Sequence, residues 1–181
     1  MSGMARAVYY PALSALAYNF DLTSLFSYNL GSRNMTKVLI ASDHAGYEIK
    51  ELIKKLLLRL QIDYADLGPD SGNSVDYPDF AIQLASLIGR GESELGILVC
   101  GTGIGMQIAA NKVPGVRAAL AWNEETAQLA RQHNNANVLT VGARTTPAAT
   151  IERIVETFLT TKFEGGRHQL RLDKISEIER R

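Results

Sequence analysis

From Lys37 onward the apolar residues follow two alternating rhythms: short unbroken runs, and longer stretches in which they recur at helical spacing. The runs Val38–Ala41, Asp63–Leu67, Leu95–Val99, Val116–Ala121 and Val138–Val141 each read as a strand. After the first, Ile49, Leu52, Ile53, Leu56, Leu57 and Leu60 mark one face of a helix, with Glu48, Lys50, Glu51, Lys54 and Lys55 on its other faces. The turn chemistry of Gly68-Pro69-Asp70-Ser71-Gly72 predicts a loop. Pro78 and Gly89 frame a second helix through Ala81, Leu84, Ala85 and Ile88, and Met106–Asn111 begins a third. Asn123 reads as a cap with Glu124 and Glu125 in the first turn behind it, and Pro147 opens a helix carrying Ile151, Ile154, Val155 and Phe158. Strands separated by helices predict a doubly wound, five-stranded parallel sheet with helices on both faces, a Rossmann-like three-layer α/β sandwich.

In such a sheet the active groups gather beyond the carboxyl ends of the strands. Several polar groups stand there. Ser42-Asp43-His44 follow the first strand, the only cysteine, Cys100, ends the third, and Gly142-Ala143-Arg144 follow the fifth. Cys100 leads straight into Gly101-Thr102-Gly103-Ile104-Gly105, a turn that brings backbone N–H groups and a helix start to one point beside the sulfur. That setting suits a base or nucleophile next to an oxyanion cradle. Each of these features has a plainer explanation by itself. The cysteine can be inert packing, Asp43 a helix cap, and His133 a cation at a helix end.

Composition removes several function classes. The 19 basic and 19 acidic side chains cancel, which leaves no global basic field for nucleic acid or an anionic membrane. No apolar stretch approaches the roughly 18 residues that span a bilayer. One cysteine excludes an internal disulfide, and nothing is spaced as a zinc ligand set, so a reducing cytoplasm is the simplest compartment. Met1–Asn34, rich in Tyr, Ala, Ser and Leu and nearly uncharged, lacks the layout of a secretory signal. It is expected to be a poorly ordered extension, with Met35-Thr36-Lys37 opening a single domain, 35–181, that ends in a helical tail.

Five segments, in order, resemble the type B ribose-5-phosphate isomerase family, which includes galactose-6-phosphate isomerase subunits. They are Ser42-Asp43-His44-Ala45-Gly46, Asp76-Tyr77-Pro78, Cys100–Gly105 with Ala109-Ala110-Asn111-Lys112, Arg131-Gln132-His133-Asn134 with Asn137-Val138-Leu139, and Glu164-Gly165-Gly166-Arg167-His168-Gln169-Leu170-Arg171. The resemblance implies interconversion of ribose 5-phosphate and ribulose 5-phosphate, a step of the pentose phosphate pathway, with no metal and no organic cofactor. It also implies a homodimer, or a dimer of dimers, whose active sites draw on both subunits. By matching position, Cys100 is the proton-abstracting base and His133 opens the furanose ring, while Asp43 and His44 contact the sugar and assist that opening. Gly101, Thr102, Gly103, Ile104 and Gly105 hold the reacting oxygens together with Asn134, and Arg144, Arg167 and Arg171 bind substrate, chiefly its phosphate. Thr102 adds a hydroxyl, either to the reaction or to the loop.

Two other classes compete with this reading. A dinucleotide-binding module would explain Gly101, Gly103 and Gly105 with Glu124 downstream, but Met106 stands where the third fingerprint glycine belongs and the loop follows the third strand. A redox sensor built on one thiol would leave the histidines and arginines without a purpose. Within the isomerase reading the alternatives are a galactose or allose 6-phosphate, or a tetrose 4-phosphate.

Overall fold

The protein is described by a computed structural model covering residues 38–180. The expectations for Met1–Asn34 lie outside the described residues. Strands β1 (Val38–Ser42), β2 (Tyr64–Asp66), β3 (Leu95–Cys100), β4 (Ala118–Leu120) and β5 (Val138–Gly142) alternate with helices α1 (Tyr47–Arg59), α2 (Tyr77–Gly89), α3 (Ile104–Ala110), α4 (Glu124–Asn134) and α5 (Ala148–Thr160). A sixth helix, α6 (Arg167–Glu179), ends the described chain. The five strands form one parallel sheet in the order β2-β1-β3-β5-β4. Its inner strands read as unbroken apolar runs because both faces are covered. Ile40, Val99, Leu139 and Val141 pack with Ile53 and Leu57 of α1 and Ile151, Ile154 and Phe158 of α5; Leu39, Leu98 and Cys100 pack with Ala81 and Leu84 of α2 and Met106 of α3. Among the described residues no helix is long and apolar enough to cross a membrane.

Local chemistry sets the element ends. Asn123 Oδ1 accepts the Thr126 N–H at 2.8 Å while the Thr126 hydroxyl receives the Asn123 N–H, a reciprocal cap that starts α4 where the sequence predicts it. Asn135, in the left-handed region at φ 43°, ends that helix. Two expectations are corrected. Ile104 and Gly105 already belong to α3, so the turn after Cys100 is shorter than the glycine pattern suggested. Lys50, expected on a polar face of α1, is wholly buried. Its ammonium lies 2.8 Å from both Asp66 oxygens and from the Pro69 carbonyl, so all three of its donors are met.

That cluster ties the end of β2 and the turn behind it to α1, and Lys54 also bonds Asp66, at 2.7 Å. Partial burial pushes the Asp66 carboxyl up, but bonds from Lys50, Lys54 and the Gly68 N–H outweigh it and hold the group below the usual carboxylate range. Burial acts in the opposite direction on the Lys54 ammonium too, yet Asp66 and Glu51 leave it raised. A carboxyl depressed on folding adds stability above its unfolded value that disappears as pH falls through its folded one. Asp66→Asn is therefore expected to cost about 3 kcal/mol at neutral pH, because it strands a buried ammonium. The difference from the parent should shrink as pH is lowered from about 5 toward 2, where the parent's own carboxyl protonates. Urea titrations across that range check both the size and the sign.

Candidate active site

The register of the sheet assembles the first group of polar residues. Cys100 pairs with Gly142 and Ser42 with Val99, so β1, β3 and β5 end at nearly the same level. Beyond that edge Asp43 N–H donates to Val99 O, Ala143 N–H to Cys100 O, and Arg144 N–H to Gly101 O. Backbone bonds thus lock Asp43, Cys100, Gly101 and Arg144 side by side. The order places β1 between β2 and β3, so the chain reverses direction across the sheet beside Cys100, the position where doubly wound sheets open a crevice.

Cys100 is 5% exposed, with its side chain on the α2/α3 face of the sheet. The residue packs in the apolar cluster on that face, yet its sulfur keeps one polar contact: Sγ accepts the Gly103 N–H at 3.1 Å. Gly103 has φ 78°, and a Cβ there would strike the Leu120 side chain and lie 3.0 Å from the Val141 carbonyl carbon. Only glycine gives this amide its aim at the sulfur. The Ile104 N–H is 3.4 Å from the Thr102 hydroxyl, so Thr102, itself exposed, braces the turn. Arg144 lies over Gly101, where an added Cβ would be 3.5 Å from its Cδ and Nη1. Asp43, 7% exposed, accepts the Gly46 N–H at 2.9 Å and so caps the turn before α1 while remaining at the edge. His44 Nδ1 stands 3.2 Å from Val75 O and 3.3 Å from Val75 N, so either tautomer is met and the far end of the Gly68–Val75 loop is held beside it.

The remaining residues form a second group at the other edge. Helix α4 runs back antiparallel to the strands, and Asn137, just past it, accepts the Gly96 N–H where β3 begins. Arg131 fixes this corner by donating to Ala136 O, to Asn135 Oδ1 at 3.1 Å and to Thr161 O at 3.3 Å. Glu164 N–H donates to Gln132 O, which brings the start of α6 alongside. His133, Asn134, Glu164, Arg167 and His168 therefore meet at the amino ends of the strands, with Arg171 one turn further along α6. Four residue steps along β3, from Gly96 to Cys100, separate the two edges by roughly 13 Å. Within one chain His133 does not approach Cys100.

The rings of His133 and His168 stack at 4.2 Å with an angle of 6° between them, and Glu164 Oε2 lies 3.9 Å from His133 Nε2 and 3.7 Å from His168 Nε2. Two imidazoles and a carboxylate, with ligand atoms within 4.8 Å of one another, have the composition of a zinc-type site. Parallel rings cannot aim both nitrogen lone pairs at one ion, however, and Arg167 Nε–H already donates to His168 Nε2 at 3.4 Å. The geometry suits a proton better than a metal.

Two residues gain a place that the sequence reading did not give them. Tyr77, noted only as part of a motif, covers the first turn of α3 so closely that a Cβ on Gly105 would sit 2.7 Å from its Cζ. His168, likewise only part of a motif, is 5% exposed on the inner face of α6 with Leu172, while Arg167 and Arg171 lie on the exposed stripe that their spacing predicts. A buried His–Leu pair four residues apart is the signal that would have found it.

The fold and site define a doubly wound α/β protein with a cysteine sulfur held against a main-chain amide at the carboxyl edge of the sheet. Comparison with known proteins gives the family. Residues 38–175 match the model of the Ribose/Galactose Isomerase family. The chain is 42% identical over 147 residues to ribose-5-phosphate isomerase B of Escherichia coli, covering 81% of this chain and 99% of that one. Among solved structures it is similar to type B ribose 5-phosphate isomerase of Trypanosoma brucei, with 48% identity, TM-score 0.77 and coverage of 80% and 99%. It is equally similar to ribose-5-phosphate isomerase B of Mycoplasma genitalium with bound ribulose-5-phosphate, with 48% identity, TM-score 0.77 and coverage of 80% and 97%. The chain belongs to the Ribose/Galactose Isomerase family.

Proposed function

We propose that this protein is an aldose–ketose isomerase that interconverts ribose 5-phosphate and ribulose 5-phosphate through an enediolate. The observation that carries the reading is the Cys100 sulfur held against the Gly103 amide between Asp43 and Arg144. Support for this substrate comes from the Mycoplasma genitalium relative, whose structure is described with bound ribulose-5-phosphate. The reaction needs one base that reaches both C1 and C2. Cys100, as thiolate, takes the C2 proton and returns it to C1. The turn Gly101–Gly103 and the first N–H groups of α3 supply amide donors to the oxygen that gains charge, each good donor being worth about 3 kcal/mol. Arg144, Arg167 and Arg171 hold the phosphate, so that binding energy far from the reacting carbons fixes their position.

Ribose 5-phosphate closes on itself through O4, and the ring must open before C2 is acidic. His133 donates a proton to the ring oxygen, and Asp43 and His44 receive the anomeric hydroxyl's proton. Because His133, Asn134, Arg167 and Arg171 lie at the opposite edge of the sheet from Cys100, the complete site forms between two copies of the chain. One copy brings Cys100, Asp43, His44 and Arg144, the other His133, Asn134, Arg167 and Arg171. Exposed Ile104 and Ile108 on α3, directly behind the cysteine turn, and exposed Trp122 after β4 offer apolar surface for that contact.

Substrate choice is tested by incubating the full chain with ribose 5-phosphate, allose 6-phosphate and galactose 6-phosphate and measuring ketose. Ribulose 5-phosphate is expected to form at least about tenfold faster than either hexulose, a margin of 1.4 kcal/mol in transition-state binding. A hexose 6-phosphate turned over faster would transfer the assignment to that sugar.

A further inference from the structure

We infer that His168 is a positioning residue for His133, a flat platform that fixes the plane of the ring-opening imidazole. The inference rests on the isomerase reading for what His133 does, and on geometry for how it is held. His133 stands in the last turn of α4, its side chain 37% exposed, two residues before the left-handed Asn135. The backbone of this helix end is held by Arg131, but a half-exposed histidine side chain there can still rotate about its own bonds unless a neighbour holds the ring. His168 is placed differently. It is 5% exposed, anchored on the inner face of α6, and its ring lies 4.2 Å from the His133 ring at an angle of 6°. The buried ring sets the plane of the exposed one.

The platform is also kept from competing for the proton. Arg167 Nε–H donates to His168 Nε2 at 3.4 Å, which assigns that nitrogen its lone pair and places the ring proton on Nδ1. Burial, then His133, Arg167 and Arg171, make a charge on His168 unfavourable, with only Glu164 opposing them. Glu164, 50% exposed and within 4 Å of both Nε2 atoms, stays free to face whichever imidazole carries charge, and His133 is the exposed one. A neutral lower ring lets His133 take and release a proton without a second cation stacked against it.

The test uses full-length protein with His168→Ala and His168→Phe, the second keeping a flat ring without nitrogens. Two substrates separate the steps: ribose 5-phosphate, and 4-deoxyribose 5-phosphate, which lacks the O4 needed to close a ring. Loss of the platform is expected to lower kcat on ribose 5-phosphate by roughly tenfold to a hundredfold in His168→Ala, the cost of a misplaced reacting group. KM should change little, the 4-deoxy substrate should be spared, and His168→Phe should restore most of the lost rate. Ring-current shifts of the His133 ring protons report the stack without any substrate; they should vanish in His168→Ala and persist in His168→Phe. Equal losses on both substrates, or a Phe variant as slow as the Ala variant, would overturn the platform role. So would an Ala variant that loses the ring-current shift but keeps full turnover. An unmodified enzyme silent on ribose 5-phosphate would overturn the isomerase reading and this role together.

Discussion

Cys100→Ala is expected to lower kcat on ribose 5-phosphate by roughly a hundred- to ten-thousand-fold, the contribution of a well-placed general base. The fold should survive. The side chain removed is small, and the cavity costs about 1 kcal/mol, equivalent to roughly 2–4 °C of melting temperature in a chain of this size. Binding should survive too, because the arginines and the amide turn are untouched. The decisive readout is solvent deuterium. The parent enzyme, working in heavy water, should place deuterium on the transferred position, and Cys100→Ala should not. Cys100→Ser sharpens the test, since the hydroxyl is close in size and can still accept the Gly103 N–H, but an alcohol is far less acidic than a thiol and stays protonated at neutral pH, leaving no base at that position. A serine variant retaining more than about a tenth of the parent rate would move the base to Asp43, whose backbone is bonded to Val99 at the same edge.

Much of this fold is legible in the sequence because its periods are local. Val38–Ser42, Leu95–Cys100 and Val138–Gly142 are unbroken apolar runs, and runs of that kind are buried on both sides wherever they fall. The helices are equally plain, down to the Asn123 cap and the Pro147 start. Strand order is not. Nothing in the run at Val138 shows that β5 inserts between β3 and β4, yet this insertion sets Gly142 beside Cys100 and so delivers Arg144. The edge strand also misled: Val116–Ala121 reads as six residues of strand, but β4 is limited to Ala118–Leu120, where β5 offers partners. The helical spacing puts Lys50 on a polar face because a charge at that position is normally solvated, and only Asp66, on another element, reverses that rule. The candidate site divides in the same way. The cysteine turn and Asp43 are visible because strand ends are visible. His168 is not, because its meaning lies in a ring brought from a different helix.

Two inactive variants should repair one another. If Cys100 and His133 of a site come from different chains, a dimer of Cys100→Ala with His133→Ala contains one doubly damaged site and one intact site. Equal mixing with free exchange makes half the dimers mixed, so about a quarter of the sites should be whole and about a quarter of the parent rate should return. Either variant alone should stay at its own low rate. The recovered fraction should rise and fall with the mixing ratio, peaking when the two are equal, a signature that contamination by parent enzyme cannot imitate. Native mass spectrometry on the same samples counts the mixed dimers. Mixed dimers without recovered turnover would place both groups in a single chain's site, against the roughly 13 Å of strand that lies between the two edges of the sheet. Recovery in proportion to mixed dimers would instead assign the ring-opening imidazole to the neighbouring copy, and with it the stacked His168 and the arginines of α6, which share its corner of the fold.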